Sequence, residues 1–203
     1  MDFYTVIPST SELDCSILVN KSHRLEESYI PPCLTEPNIL FDAPSGDPRR
    51  LLSLPVVRAS EKLFAAGREQ GIFLYGISGY RSYERQKALY ETRLKQKEKS
   101  YVDLYLAPPG ASEHQTGLAL DVSCPSVSLQ LEDCFASTTE GKWLASHAPL
   151  YGFIIRYPKN KELITGYGWE PWHIRYVGKS LALYLSLTGL TLEEYHEHQS
   201  SCD

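Results

Sequence analysis

Between residues 55 and 203 the chain mixes strand and helix patterns without the strand–helix–strand rhythm that builds a parallel sheet. Four short segments have strand composition, namely 72-IFLYGIS-78, 118-LALDV-122, 153-FIIRY-157 and 172-WHIRYV-177. Helical spacing follows Pro55, begins again at Ser82 and recurs near residues 141–150, 180–189 and 191–198. This pattern predicts an α+β fold in which a small antiparallel β-sheet is flanked by helices.

Residues 1–50 differ from the rest of the chain in composition. They are rich in Pro and Ser and keep no helical or strand period, apart from one candidate strand at residues 18–20, LVN. We therefore expect an N-terminal arm over residues 1–50 that wraps a single domain of residues 51–203. Within that domain, the Lys-rich residues 95–100 predict a helix end, followed by a loop up to residue 110.

The charge and hydropathy of the chain limit the classes of partner that it can be expected to bind. A formal net charge of −5 and a pI near 5.7 argue against a nucleic-acid partner, because no basic field is available. No apolar run approaches the roughly 20 residues of a membrane span, and the N-terminus lacks a secretory signal pattern. Localisation stays open between the cytoplasm and the cell envelope, with an anchor outside these residues in the second case. The oligomeric state stays open as well.

The five cysteines form no CxxC pair, which argues against a thiolate zinc site. Cys124 and Cys134 bracket a polar loop. They could form a disulfide in an oxidising compartment or remain free thiols, and the sequence leaves both readings open.

Two histidines lie in segments dense with Gly, Trp and strand-forming residues. His114 stands seven residues before Asp121 in 112-SEHQTGLALD-121, and Glu170 precedes His173 by three residues. His114, Asp121 and His173 could supply the three protein ligands of a catalytic zinc ion, with Glu170 as the base for a water molecule. Taken singly, each also fits a structural role, a hydrogen-bonded histidine or a turn aspartate, so the residues alone leave the question open.

Arg81 follows the strand at 72–78 and precedes the helix that begins near Ser82. Strand ends deliver side chains into clefts, where a guanidinium could hold a carboxylate or stabilise an oxyanion. A surface Arg–Glu pair is the alternative.

Three motifs in this order, SGYRS, SEHQTGLALD and EPWHIRYVG, resemble the zinc D-alanyl-D-alanine carboxypeptidases of the VanY and VanXY type. That group shares its metal-site architecture with hedgehog domains. The resemblance runs from about residue 18 to about residue 196. It implies removal of a C-terminal D-alanine from peptidoglycan precursors that end in D-Ala-D-Ala, carried out by the domain of residues 51–203 with one Zn²⁺ ion.

Carried over residue by residue, the resemblance implies a role for eight positions. The zinc ligands are His114, Asp121 and His173; the catalytic base is Glu170; the transition-state arginine is Arg81; and the substrate contacts are Ser112, Gln86 and Trp172.

Four alternatives are compatible with the sequence. Two are enzymes of the same kind, a bifunctional D,D-dipeptidase/D,D-carboxypeptidase and an L,D-carboxypeptidase. A third is a non-catalytic wall-binding module with structural zinc. The fourth is a Ser112 nucleophile activated by His114, although no nucleophile-elbow pattern surrounds this serine.

Overall fold

The computed structural model describes residues 5–7 and 14–200. In chain order its strands are β1 (Thr5–Ile7), β2 (His23–Leu25), β3 (Leu34–Thr35), β4 (Leu52–Ser53), β5 (Tyr75–Ser78), β6 (Ala119–Ser123), β7 (Phe153–Tyr157) and β8 (Glu170–Tyr176). Its helices are α1 (Leu54–Glu69), α2 (Tyr83–Leu94), α3 (Lys99–Tyr105), α4 (Thr139–His147), α5 (Glu162–Thr165), α6 (Lys179–Thr188) and α7 (Leu192–Ser200).

The central element is a four-stranded antiparallel sheet in the order β5-β6-β8-β7. Leu120 and Ile174 of neighbouring strands point to one face, where the main hydrophobic core packs against α1 and α4. Because side chains alternate along a strand, Asp121 and His173 point to the opposite face. The predicted α+β fold with a small antiparallel sheet is confirmed, and the alternation keeps polar groups out of the core.

Helix α1 forms where the sequence pattern predicts it. Pro55 occupies its first turn, which suits a residue without an N–H group. Its apolar face is buried through Val56, Leu63 and Phe64, which pack against the core face of the sheet. Each such burial contributes about 1.5–3 kcal/mol. Helix α2 begins after Ser82, whose hydroxyl accepts a hydrogen bond from the backbone N–H of Arg85.

Two local predictions are wrong. Residues 101–105, predicted as part of a loop, belong to helix α3 (Lys99–Tyr105), in which only Val102 is buried. A seven-residue helix with one buried residue has no apolar period to detect, and its position depends on long-range contacts. Residues 18–20, predicted as a strand, lead into a turn, because the Asn20 side chain accepts hydrogen bonds from the N–H groups of Ser22 and His23. The strand starts after that turn, at His23.

Residues 14–50 lie against the rest of the molecule. The N–H of Leu25 donates to the carbonyl of Gly110 at 2.8 Å, and the N–H of Asp42 donates to the carbonyl of Gly76 at 2.9 Å. The division into an arm of residues 1–50 and a domain of residues 51–203 stays a prediction. Among the described residues, no helix has both the length and the apolar character that a membrane crossing requires.

The thiols of Cys124 and Cys134 are both free. Cys124 is buried and Cys134 is exposed, so the loop between them is not closed by a disulfide in this structure.

Gly117 connects the turn that carries His114 to strand β6. Its φ of +67° is a left-handed conformation, and an added Cβ would lie 2.6 Å from Oγ of Ser53 and 2.9 Å from Leu34. A side chain in this conformation costs about 1–3 kcal/mol, and the close contacts add to that cost.

We therefore expect Gly117→Ala to lower the free energy of unfolding clearly more than Gly46→Ala does, as measured by urea titration. Gly46 has a φ of +84° with nothing within 4 Å of an added Cβ, so its variant isolates the conformational cost. Equal losses in the two variants would contradict the close approach at Gly117.

Candidate metal centre

Three separate segments bring together the predicted ligands His114, Asp121 and His173. His114 lies in a 3₁₀ turn, Glu113–Thr116, just before β6, which carries Asp121; His173 lies on β8. Asp121 and His173 are directly paired in the β6–β8 register. One ligand atom from each residue lies within 4.8 Å of the others, and all three side chains are buried. These three residues could hold a metal ion.

The partners of the two imidazoles show which nitrogen each presents to the site. Nδ1 of His114 lies 2.7 Å from the carbonyl oxygen of Gly79, which can only accept, so Nδ1 carries the proton. Nε2 of His114 then faces Asp121 Oδ2 at 3.2 Å. Nδ1 of His173 faces Asp121 Oδ1 at 2.9 Å, while its Nε2 lies 3.3 Å from Glu113 Oε2. One nitrogen of each ring is thus available beside the Asp121 carboxylate.

Electrostatics at Asp121 and His173 favour a positive charge. Burial alone would raise the pKa of Asp121, but the two imidazoles beside it hold that pKa well below its usual range. Burial lowers the pKa of His114. Although burial also opposes protonation of His173, its hydrogen bonds to Asp121 and Glu113 raise its pKa to about 9. A site that draws a proton this strongly also suits a cation.

Glu170 and Arg81 flank the three predicted ligands. Glu170 Oε2 lies 3.9 Å from Nδ1 of His173, and burial raises the pKa of this carboxyl to about 8. Arg81 Nη2 lies 4.0 Å from Asp121 Oδ2 and donates to Ser78 Oγ at 3.1 Å. Strand β5 ends at Ser78, so Arg81 reaches the site from the end of a strand, as its position in the sequence suggests.

The site opens into a cavity of about 570 Å³. Ser112, Trp172, Glu170 and Arg81 line it together with the three predicted ligands. Residues of α2 and α3 and residues 131–133 line it as well. Ser112 and Trp172 therefore lie in the same cavity as the three predicted ligands, and their substrate contact stays a prediction.

Gln86 is placed differently. It is fully buried, its side-chain oxygen accepts from Arg81 Nη1 at 2.9 Å, and its nitrogen donates to the carbonyl of Ala107 at 2.6 Å. Gln86 is also absent from the described residues that line the cavity. Its predicted substrate contact stays a prediction, whereas its observed contacts hold the Arg81 guanidinium in place.

Three charged residues beside the site were not singled out from the sequence. Glu113 accepts from Arg156 and Arg175, and all three side chains are fully buried. The sequence does contain a signal of these buried charges: Arg156 and Arg175 interrupt the apolar runs 153-FIIRY-157 and 172-WHIRYV-177. A buried arginine in such a strand requires an acidic partner.

The donor set fits a divalent metal ion. Two imidazole nitrogens and one carboxylate oxygen converge, each histidine has its other nitrogen beside a carbonyl or carboxylate oxygen, and the site opens to the cavity. Protein zinc sites that hold a reactive water have this composition, three protein ligands with one position left open, and their histidines have this kind of second partner.

Comparison with known proteins settles the family. A family model described as VanY, D-alanyl-D-alanine carboxypeptidase, matches residues 49–179. The bifunctional D-Ala-D-Ala dipeptidase and carboxypeptidase VanXYC of Enterococcus gallinarum is 37% identical over 184 residues, which are 89% of this chain and 93% of that protein. The chain belongs to the VanY family. The resemblance predicted from its three motifs is confirmed.

Other similar proteins and solved structures differ in length and in the activity for which they are named. YodJ of Bacillus subtilis is 44% identical over 180 residues, and these cover 89% of this chain but 66% of YodJ, just under two thirds. Among solved structures, the L,D-carboxypeptidase LdcB has a TM-score of 0.85 at 44% identity, covering 89% of this chain and 84% of that one. A vancomycin-resistance D,D-pentapeptidase VanY variant in complex with Zn(II) has a TM-score of 0.72 at 31% identity, covering 91% and 99%.

Proposed function

We propose that this VanY-family protein is a zinc-dependent carboxypeptidase that removes the C-terminal D-alanine from peptidoglycan stem peptides ending in D-Ala-D-Ala. The observation that carries the proposal is the convergence of His114, Asp121 and His173 in a cavity with Glu170 alongside. Zinc is the metal proposed, because mixed nitrogen and oxygen ligation suits it and a VanY structure contains Zn(II).

In this mechanism His114, Asp121 and His173 hold the ion. When bound, zinc supplies Lewis-acid chemistry, which polarises a carbonyl group and brings the pKa of water to about 7. Glu170 accepts the proton of the attacking water and then donates it to the departing amine of D-alanine. Arg81, whose guanidinium is held by Ser78 and Gln86, stabilises the negative charge that develops on the carbonyl oxygen of the scissile bond.

Ser112 and Trp172 line the same cavity and are proposed to contact the end of the peptide. Trp172 is half-buried, so part of its ring is available to a ligand. The side chains of Glu170 and of the three predicted ligands are buried, which strengthens the electrostatic interactions among them.

An L,D-carboxypeptidase acting on tetrapeptide stems is the second candidate, and one observation favours it. The L,D-carboxypeptidase LdcB superposes with a TM-score of 0.85, against 0.74 for VanYB in complex with D-alanine-D-alanine. Both reactions release D-alanine; they differ in the configuration of the residue that donates the scissile carbonyl. A bifunctional enzyme that also cleaves free D-Ala-D-Ala is a third candidate, supported by the similarity to VanXYC.

The other two alternatives have less support. A purely structural zinc site needs neither a base nor an open position, yet Glu170 and the cavity provide both. For a Ser112 nucleophile, His114 would have to act as its base, but the two nitrogens of His114 face Gly79 and Asp121.

We expect purified protein loaded with zinc to release D-alanine from a pentapeptide stem, and a chelator to abolish this release until zinc is restored. The assay uses three substrates side by side: a pentapeptide ending in D-Ala-D-Ala, the tetrapeptide that remains after its last residue is removed, and free D-Ala-D-Ala. The substrate with the highest kcat/KM identifies which of the three specificities the enzyme has. Release that continues at full rate after zinc is removed would contradict the proposed function.

A further inference from the structure

We propose that Glu113 is a positioning residue of the metal centre, which presents Nδ1 of His173 to the ion by accepting a hydrogen bond from Nε2 of the same ring. The inference rests on the proposed zinc centre and goes beyond it, since it concerns a residue outside the ligand set. Glu113 is the neighbour of His114 in sequence, but it acts on the other histidine, 60 residues further along the chain.

The two oxygens of Glu113 have separate partners. Oε1 accepts from Arg156 Nε at 2.6 Å and from Arg175 Nη1 at 2.7 Å. Oε2 lies 3.3 Å from Nε2 of His173. Since a carboxylate can only accept, Nε2 carries a proton, and Nδ1, which faces Asp121 Oδ1 at 2.9 Å, is the nitrogen that gives up its proton when a metal ion binds. The two arginines fix one oxygen so that the other remains directed at His173.

The surrounding charges hold this arrangement in place. Arg156 also donates to both oxygens of Glu193 on α7, at 2.8 and 2.6 Å. The four side chains of Glu113, Arg156, Arg175 and Glu193 carry two negative and two positive charges and are nearly or fully buried. The charge on Glu113 is therefore balanced before any metal binds.

The N-terminal segment completes this network. Arg175 Nη2 donates to the carbonyl oxygens of Cys15 and Ile17 at 3.1 and 2.8 Å, and Asn20 donates to Glu193 at 3.1 Å. These residues precede the stretch that matches the family model, 49–179. The carbonyl oxygens of Cys15 and Ile17 supply acceptors for the buried guanidinium of Arg175, which supports Glu113.

The substitution Glu113→Gln tests this role while nearly preserving the shape of the side chain. A glutamine has one acceptor oxygen, so it cannot accept from the two arginines and also from His173 through its other end. Its NH₂ group would face Nε2 of His173, favour the wrong tautomer and leave an uncompensated positive charge close to the ion. Loss of such an outer partner commonly lowers metal affinity 10–100-fold.

Glu193→Gln is the matched control. It makes the same chemical change in the same network and also removes one negative charge, but its contacts are to Arg156 and Asn20 and not to His173. A role limited to stability predicts similar behaviour for the two variants, whereas a positioning role separates them.

The experiment measures zinc affinity by competition with a chromophoric chelator in the folded, unmodified chain and in both variants. We expect Glu113→Gln to bind zinc about 10–100-fold more weakly than the unmodified chain and Glu193→Gln to stay within about threefold of it. Equal affinities in Glu113→Gln and the unmodified chain, or equal losses in both variants, would overturn the assignment. No turnover is measured, so failure of the proposed carboxypeptidase activity would leave this result intact.

A second measurement needs no variant and decides the question even if Glu113→Gln does not fold. In ¹⁵N-labelled, zinc-loaded protein, imidazole NMR correlations distinguish a protonated nitrogen from a metal-bound one. We expect Nε2 of His173 to be protonated and Nδ1 to be metal-bound. Metal binding through Nε2, or no zinc binding by the unmodified chain, would overturn the assignment.

Discussion

We expect Glu170→Gln to lower kcat for D-alanine release by about 10²–10⁴-fold, the usual contribution of a general base, while the protein keeps its zinc. The buried Glu170 carboxyl lies 3.9 Å from Nδ1 of His173, beside the ligand set rather than within it. Glutamine preserves the volume of the side chain but cannot accept a proton. The measurement pairs kcat on the best stem peptide with zinc content determined on the same sample.

Two further variants serve as controls for Glu170→Gln. Asp121→Asn should lose zinc and activity together, because Asp121 is one of the three predicted ligands. Glu69→Gln makes the same chemical change as Glu170→Gln at an exposed position on α1 and should leave both properties unchanged. Retained turnover in Glu170→Gln would remove the base from the mechanism, and joint loss of zinc and turnover would make Glu170 a ligand.

The metal centre could be found from the sequence because its chemistry is concentrated in short segments. His114 and Asp121 lie within one ten-residue stretch, and Glu170 and His173 within another. Each stretch has its own local strand pattern. The pairing of Asp121 with His173, which brings the two stretches together, depends on the register between β6 and β8. Local patterns do not specify register; the buried face of the sheet does.

Local sequence patterns do not identify which residues far apart along the chain contact each other. In the sequence, Glu113 does not stand out from the polar residues around it, because its arginine partners lie 43 and 62 residues away. The predicted role of Gln86 followed the family resemblance, yet its side chain meets Arg81 and the carbonyl of Ala107. In each case the side chain's partners are decided by tertiary packing. Helix α3 was missed for the same reason, since its single buried residue leaves no local period.

The buried charge network leads to the largest expected effect on stability. We expect Arg156→Ala to lower the free energy of unfolding by about 3–5 kcal/mol, the range seen when one partner of a buried ion pair is removed. Arg156 is fully buried and donates to Glu113 and Glu193, so its loss leaves the buried Glu193 carboxylate without this guanidinium and leaves Glu113 with Arg175 as its arginine partner. For a domain stable by about 5–15 kcal/mol, this is a large fraction of the total.

Urea titration in the presence of a chelator measures this loss without a contribution from bound metal. Lys161→Ala is the matched comparison, because Lys161 also pairs with a glutamate of α7, Glu194, at 2.8 Å, but with 30% and 19% of the two side chains exposed. That partly solvated pair should contribute no more than about 1 kcal/mol. Losses of similar size in the two variants would contradict the burial of the ion pairs that Arg156 makes with Glu113 and Glu193.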